Sequence, residues 1–328
     1  MKITMAHGSG GKETSDLIHN IFGKYFHNPV LLKMEDSAVV PGAAEIALTT
    51  DSFVVMPIFF NGGDIGRLAV CGTVNDLAMS GAVPKYLTCG FILEEGSDTE
   101  DLKKIAESMA KTSEEAGVLI VAGDTKVVEG SGGIYINTSG VGFFDKKCTV
   151  SSSNCREGDI IIVSGCLGDH HAAILSSRMN ITNSIVSDCA PLDGMTAALM
   201  DSGLKIKAMR DITRGGLATV MNEFAAASKC CILLKEDEIP VSGQVRSFCG
   251  ILGLDPLYMG NEGKMVAVVA KENAREALYC IKCNRYGKNA AVIGEVIQGE
   301  ANTVILQTEI GGKRILTEMY GEGLPRIC

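Results

Sequence analysis

Apolar runs alternate with amphipathic segments along the first half of the chain. Two of these runs, Glu45–Asp51 and Val118–Asp124, have the pattern of buried β-strands, and each ends in a carboxylate. Between them, Ser97–Glu100 has the form of a capping box and opens a stretch with apolar residues at helical spacing. We therefore predict a helix that begins at this box and ends at Gly117. A further strand is predicted at Ile134–Phe144.

A polar segment divides the chain near residue 150. Residues 151–159 are rich in serine, asparagine and charged side chains, which is typical of a linker or turn. Beyond it, the sequence predicts strands at Ile160–Gly165 and Lys264–Ala270 and a helix that opens near Thr213. We therefore predict a two-domain protein of the α+β or α/β class. The expected parts are domains at residues 1–150 and 151–318 and a tail at residues 319–328.

The composition indicates a globular protein and argues against some kinds of binding partner. A chain of 328 residues can form two hydrophobic cores, and 46% hydrophobic with 21% charged residues is typical of a globular protein. The net charge of −9 argues against nucleic acid or an anionic membrane as a partner. No apolar run approaches the ~20 residues that span a bilayer. Because Met1–Gly8 also lacks the apolar stretch of a signal peptide, we expect a cytoplasmic protein.

The cysteines do not form a disulfide pattern. Most of the twelve are scattered through apparent core segments, where a cytosolic protein uses cysteine as a small buried hydrophobe. Cys280 and Cys283 form a single CxxC pair, which without a second pair or a histidine is weak evidence for zinc or redox chemistry.

The last residue, Cys328, is the most informative cysteine. Gly321 and Gly323 supply a hinge, Pro325 stiffens the end, and Arg326 places near the thiol a cation that favours the nucleophilic thiolate. Fully extended, these last eight residues reach about 26 Å at ~3.3 Å per residue. We expect a thiol that moves between two sites, with an ordinary disordered chain end as the alternative.

Five aspartates lie at apparent breaks between elements, flanked by threonine, asparagine or glycine. One such aspartate would be interpreted as a turn former or helix cap. A set of five suits Mg²⁺, which binds one or two carboxylates together with phosphate oxygens. Glycines beside them let backbone N–H groups approach phosphate. The candidate metal ligands are Asp36, Asp51, Asp76, Asp124 and Asp211.

A glycine-rich loop near the N-terminus adds a second phosphate-binding candidate. The loop His7–Lys12 is not a P-loop, because Ala6 and Glu13 stand where that motif needs glycine and serine or threonine. It also lacks the third glycine of a dinucleotide fingerprint. Together with the aspartates, the loop predicts a magnesium–nucleotide enzyme of neither common type.

Eight segments spread over the chain from residue 5 to its end recur together in one known family. They are Met5–Lys12, Thr49–Val55, Gly62–Gly66, Cys71–Met79, Ala122–Val128, Asp211–Leu217, Asn261–Lys264 and Pro325–Cys328. These segments resemble the HypE family of nickel–iron hydrogenase maturation factors. The resemblance implies the aminoimidazole ribonucleotide synthetase-like fold, with an N-terminal domain that contributes to a dimeric β-barrel-like core and a C-terminal α/β domain.

The resemblance also implies a reaction. A HypF-like carbamoyltransferase would place a carbamoyl group on Cys328, and ATP with Mg²⁺ would then phosphorylate the amide oxygen so that it can leave. The product is a thiocyanate that supplies cyanide for the iron of the hydrogenase. The implied partners are a second copy of the chain, the HypF-like enzyme and a HypC–HypD-like iron scaffold.

By the same resemblance, further residues receive roles. Lys126 would stabilise the transferring phosphoryl group, Glu262 would take protons from nitrogen, and His7 would assist. The cofactor-binding residues beside the five aspartates would be Gly8, Gly10, Gly11, Lys12, Thr49, Thr50, Asn75 and Gly123.

Two other functions stay open at this point. The first is another enzyme of the same fold, a selenophosphate synthetase or a small-molecule kinase. Selenophosphate synthetases carry a reactive residue near the N-terminus, whereas the first cysteine here is Cys71, inside an apparent structural segment. The second is a non-enzymatic carrier of a group on Cys328, which would have no use for a magnesium–nucleotide site.

Overall fold

The structure is a computed structural model that describes residues 2–9, 11–34, 37–144 and 150–318. The predictions for Gly10, Asp36 and the tail with its hinge glycines and Cys328 concern positions outside these ranges. The helices are α1 Lys12–Leu17, α2 Gly23–Tyr25, α3 Ile65–Met79, α4 Thr99–Glu115, α5 Asp169–Arg178, α6 Asp193–Asp201, α7 Gly216–Ser228, α8 Gly243–Leu252 and α9 Ala274–Cys283. The strands are β1 Ile46–Phe53, β2 Phe59–Phe60, β3 Gly63–Asp64, β4 Val83–Glu94, β5 Leu119–Val128, β6 Ile134–Phe143, β7 Ile160–Val163, β8 Ile206–Asp211, β9 Cys231–Lys235, β10 Met265–Val269, β11 Ala291–Ile297, β12 Thr303–Gln307 and β13 Lys313–Ile315.

The first sheet has four strands in the order β1-β6-β4-β5. The pair β4–β5 is parallel, and the other two pairs are antiparallel. Helix α3 packs against one face, and α4 packs against α3. Along β4 and β6 buried and more exposed residues alternate, as expected for a sheet with one covered face.

Helix α4 confirms the predicted helix, but its cap is a different residue. The carboxylate of Asp98 accepts a hydrogen bond from the backbone N–H of Glu100 at 3.0 Å. Ser97, the predicted cap, instead donates to the carbonyl oxygen of Gly133 at 3.2 Å. Gly117 follows the helix with a φ of +64°, as expected for a glycine that ends a helix.

The prediction that the aspartates lie at breaks between elements is wrong for three of them. Strand β1 continues past Asp51 to Phe53, and β5 continues past Asp124 to Val128. Asp76 lies inside α3, where the flanking Asn75, which suggested a break, is buried and hydrogen-bonds to the C-terminal half. Asp211 is the last residue of β8, as predicted.

The second sheet has seven strands in the order β13-β12-β9-β11-β7-β10-β8. All five residues of β10 are buried, which accounts for the continuous apolar run in its sequence. One face packs against α7, and the other packs against α6 and α9. Within the described ranges, no helix is both long and apolar enough to cross a membrane. The domain boundary near residue 150 stays a prediction.

Contacts between the N-terminal and C-terminal halves converge on Arg67 of α3. Its Nε donates to the carbonyl oxygen of Cys189 at 2.9 Å, and its Nη1 lies 3.0 Å from a carboxylate oxygen of Glu115. Tyr286 and Arg285, from the C-terminal half, contact the same Glu115 carboxylate. Because Arg67 and Glu115 are only 20% and 22% exposed, this network is partly shielded from solvent.

We expect Arg67→Met to lower the free energy of unfolding by about 2–4 kcal/mol, because it removes the partly buried charge partner of Glu115 and the side-chain donor to the Cys189 carbonyl oxygen. Urea unfolding measures the change. Lys111→Met is the matched control, since its pair with Glu107 is exposed on the same region of the molecule. Equal stability of the two variants would show that the Arg67 network does not hold the halves together.

Candidate active site

A cleft of about 620 Å³ lies between the first sheet and the C-terminal half. Strand β1, helix α3 and the segment from β8 to the start of α7 form its walls. Four acidic side chains line it, three of them predicted metal ligands and the fourth the predicted proton acceptor. They are Asp51, Asp76, Asp211 and Glu262.

Asp51 and Asp76 lie within hydrogen-bonding reach of each other. The hydroxyl of Thr49 donates to Oδ2 of Asp76 at 2.7 Å, which fixes that carboxylate beside β1. Burial, and then the nearby charge of Asp76, raises the pKa of Asp51 to about 6, while Arg214 opposes the shift. Two carboxylates in this arrangement bind either a shared proton or a cation.

Asp211 and Glu262 extend the cluster of acidic side chains within the cleft. Burial and the charge of Asp76 raise the pKa of Asp211 to about 7. Burial, followed by the charges of Asp211 and Asp188, raises the pKa of Glu262 well above its usual range. A raised pKa makes the ionised carboxylate a stronger base than an ordinary glutamate, and base strength is what a proton acceptor in catalysis uses.

Arg214 is a cleft residue to which the sequence analysis gave no role. It lines the cleft from the turn before α7, and its charge acts on both Asp51 and Glu262. The signal available in the sequence was its place in Asp211–Gly216, where an arginine precedes two glycines.

The donor set of the cleft fits Mg²⁺, because carboxylate oxygens are its preferred protein ligands. Within the described ranges, no group of three or more His, Cys, Asp or Glu side chains is already arranged around one point. The Asp51–Asp76 pair alone supplies the one or two carboxylates that Mg²⁺ uses when phosphate oxygens and water complete its coordination.

Other predicted residues lie in a second cavity, of about 470 Å³, at the opposite edge of the first sheet. Gly8, Gly123, Asp124 and Lys126 line it, and the Lys126 ammonium lies 3.4 Å from a carboxylate oxygen of Asp124. Its inner wall is apolar and includes the aromatic rings of Phe22, Phe26 and Phe91.

The sheet register gives the distance between the cleft residue Asp51 and the residues of β5 that line the second cavity. Asp51 pairs with Thr138, Thr138 with Cys89, and Cys89 with Gly123. Three strand spacings of ~4.8 Å place these positions about 14 Å apart. Because Asp124 is one residue beyond Gly123, its side chain also points to the opposite face of the sheet from Asp51.

Five of the predicted residues that the structure describes lie outside both cavities, and three of these are Asn75, Thr50 and Lys12. Asn75 is buried and donates from Nδ2 to the carbonyl oxygen of Ala190 at 3.1 Å, so it joins α3 to the C-terminal half. Thr50 faces the uncovered side of the sheet and accepts a hydrogen bond from Ser139 at 3.0 Å. Lys12 forms an exposed ion pair with Asp16 at 2.9 Å.

The other predicted residues of the N-terminal loop, His7 and Gly11, contact neighbouring parts of the backbone. His7 is buried, and its Nδ1 accepts a hydrogen bond from the backbone N–H of Thr4 at 3.1 Å. Gly11 is the residue that precedes the first turn of α1.

Comparison with known proteins decides the family. The N-terminal and C-terminal domain models of AIR synthase related proteins match residues 34–144 and 156–307. Carbamoyl dehydratase HypE of Rhodobacter capsulatus is 44% identical and aligns over 100% of this chain and 98% of its own. HypE of Escherichia coli is 45% identical and aligns over 99% of both chains. The chain belongs to the HypE family of carbamoyl dehydratases.

Solved structures agree with the family assignment. A crystal structure of HypE in complex with ATP superposes with a TM-score of 0.95 at 43% identity over 99% of both chains. HypE in a HypE–HypF complex superposes with a TM-score of 0.81 at 48% identity over 92% of this chain and 99% of that one. These matches confirm the predicted two-domain fold of the AIR synthase type. The HypE assignment also confirms the predicted activity class, a carbamoyl dehydratase of hydrogenase maturation.

The raised pKa of Asp211 predicts how the stability of the folded chain depends on pH. Below about pH 4 the Asp211 carboxyl is protonated in both the folded and the unfolded chain. Between about pH 4 and 7 it ionises in the unfolded chain but stays largely protonated in the folded one. The folded state therefore loses stability as the pH rises through this range. Asp211→Asn removes this loss. In magnesium-free buffer with chelator, the variant should therefore melt at a higher temperature than the parent at pH 8 and at the same temperature near pH 4.

Asp201→Asn, at the exposed end of α6, is the control and should behave as the parent at both pH values. If Asp211→Asn and the parent melt together at pH 8, the buried carboxylate is not strained by its neighbours.

Proposed function

We propose that the protein uses magnesium–ATP to dehydrate an S-carbamoyl group on Cys328. The observation that carries this proposal is the convergence of Asp51, Asp76, Asp211 and Glu262 in one cleft. The amide oxygen takes the γ-phosphoryl group and leaves as phosphate. The nitrogen gives up both of its protons, and a thiocyanate remains on sulfur with ADP and phosphate as the other products.

In this proposal the Asp51 and Asp76 pair holds Mg²⁺, and the nearby charge of Asp211 adds to its attraction. Bound there, the metal would offset negative charge on the phosphates during transfer. The raised pKa values of Asp51 and Asp211 support the role, because a divalent cation relieves the repulsion among these carboxylates.

Glu262 takes protons from the nitrogen as the phosphate leaves. Its burial and its acidic neighbours favour the protonated form, so its carboxylate has a strong affinity for a proton. Arg214, whose charge acts on Glu262 and Asp51, is placed to stabilise the anionic phosphate.

The second cavity suits the base of the nucleotide. Its apolar wall offers aromatic contacts, with Phe22 and Phe91 rings 4.6 Å apart, and its rim carries the Lys126 ammonium for phosphate. The ATP complex of the 43% identical HypE supports ATP as the nucleotide.

One protomer does not bring the two cavities together, which supports a homodimer. In the described structure no element covers the outer face of the first sheet, where Leu48 is 70% exposed and Ile46 47% exposed. A second copy would bury this face. A two-fold axis parallel to the strands would place β1 of one protomer beside β5 of its partner. Each complete site would then combine the acidic cleft of one copy with Asp124 and Lys126 of the other.

The tail and its partners complete the proposal. A HypF-like carbamoyltransferase loads Cys328, and the HypE–HypF complex of a 48% identical chain supports this partner. A HypC–HypD-like iron scaffold receives the cyanide, in the cytoplasm. Loading in one place and dehydration in another require the thiol to move, and the proposed hinge is Gly321 and Gly323.

The reaction itself is tested by the mass of the C-terminal peptide after incubation with carbamoyl donor, a HypF-like enzyme and magnesium–ATP. The loaded peptide should lose the mass of one water molecule. Cys328→Ala should take no carbamoyl group, whereas Glu262→Gln should load normally and accumulate the thiocarboxamide. Cys283→Ala, at an exposed cysteine of α9, is the control and should react as the parent does. Thiocyanate formation at the normal rate in Glu262→Gln would remove that residue from the chemistry.

The composite site is tested by mixing two inactive variants. In a dimer of Asp76→Asn with Asp124→Asn, one of the two sites contains neither substitution. Because about half of a random mixture is heterodimer, co-expression should recover about a quarter of the parent dehydration rate.

The control is the parent co-expressed with the double variant Asp76→Asn/Asp124→Asn. Heterodimers then have one substitution in each site, so the rate should fall to about a quarter instead of about a half. No recovery in the first mixture, together with half activity in the second, would mean that each site belongs to a single protomer.

A further inference from the structure

Glu262 lies in a loop without regular secondary structure, just before β10 begins at Met265. Proton transfer depends on geometry, and a displacement of 1 Å can cost about a hundredfold in rate. The contacts that hold this loop therefore bear directly on the function proposed above.

The Asp188 side chain contacts the loop at Glu262 and at Lys264, two residues later. Its Oδ1 accepts a hydrogen bond from the backbone N–H of Glu262 at 3.0 Å, and its Oδ2 lies 3.4 Å from the ammonium of Lys264. Lys264 also donates to the carbonyl oxygen of Gly263 at 3.1 Å. The Asp188 and Lys264 side chains are only 3% and 11% exposed, so water competes little with these contacts.

The backbone beside Asp188 also fits closely against the loop. A Cβ atom on Gly263 would lie 1.8 Å from the carbonyl oxygen of Asp188, so only glycine allows this approach. The backbone N–H of Ala190 donates to the carbonyl oxygen of Glu262 at 3.3 Å. Backbone and side-chain contacts therefore join residues 188–190 to residues 262–264.

Asp188 is not one of the cleft-lining residues of the described structure. Its carboxylate acts on the cleft through Glu262, because it fixes the backbone from which that side chain projects.

We propose that Asp188 is a positioning residue that sets the place of the Glu262 carboxylate for proton transfer. The proposal rests on the function proposed for Glu262, so its test must separate a failure of one from a failure of the other.

A double-mutant cycle with Glu262→Gln makes that separation. Asp188→Ala should lower the single-turnover dehydration rate of loaded Cys328 by at least about tenfold, while KM for ATP stays within about twofold. Asp188→Asn keeps an acceptor for the Glu262 N–H and should fall between Asp188→Ala and the parent. In the Glu262→Gln background, Asp188→Ala should change the rate by less than about twofold, because its effect passes through the missing carboxylate.

Removing Asp188 alone leaves Lys264 buried without its partner, which can impair folding. The variant Asp188→Ala/Lys264→Met avoids this unpaired charge and still lacks the acceptor for Glu262, so the same cycle is measured with it. Asp193→Asn is the matched control, since Asp193 is a partly buried aspartate on the same segment with no hydrogen bond to the loop.

The outcomes are distinct. Parent-like rates for both Asp188→Ala and Asp188→Ala/Lys264→Met would overturn the proposal. It would also be overturned if the rate losses of Asp188→Ala and Glu262→Gln were fully additive. A parent-like rate for Glu262→Gln alone would instead refute the role of Glu262, and with it the basis of the positioning role.

Discussion

Helix α3 is buried on nearly every side, and its burial constrains the rest of the molecule. Of its fifteen residues, Arg67 and Asp76 are the two that are not buried. Gly66 and Gly72 allow close packing, since a Cβ at Gly72 would lie 2.8 Å from the ring of Phe53. A helix held this tightly cannot rotate to suit a ligand. The packing of α3 therefore fixes Arg67 at the contact between the two halves and Asp76 in the cleft.

Fixing acidic side chains in the cleft lowers the stability of the folded state. Four acidic side chains lie together where burial and mutual repulsion raise the pKa of Asp51, Asp211 and Glu262. Like charges held in a partly buried site destabilise the folded state, and the hydrophobic cores on both sides of the second sheet offset this loss. The same repulsion favours the binding of a cation and the capture of a proton, which are the two tasks of the proposed reaction.

Structural residues fix the acidic side chains from outside the cleft. Asn75 joins α3 to the segment that contains Ala190, and Asp188 in that segment holds the loop of Glu262. Two parts of the site that are distant in sequence are thus connected through a third. In the proposed homodimer, a second copy of the chain would connect further parts of the site, because the two edges of the first sheet carry different parts of the proposed nucleotide site.

The sequence by itself determined the main elements, the family and most of the chemical groups. The strands around Asp51 and Asp124, helix α4 with its terminal Gly117 and the buried β10 follow from local periodicity, since each depends on neighbours in the chain. Tertiary structure decided which groups meet. It assigned Asn75 to the interface between the halves and Thr50 to the outer face, and it separated Asp124 from Asp51 by the width of a sheet. Side-chain direction depends on register and on what packs above each strand, and neither is encoded in the spacing of aspartates along the chain.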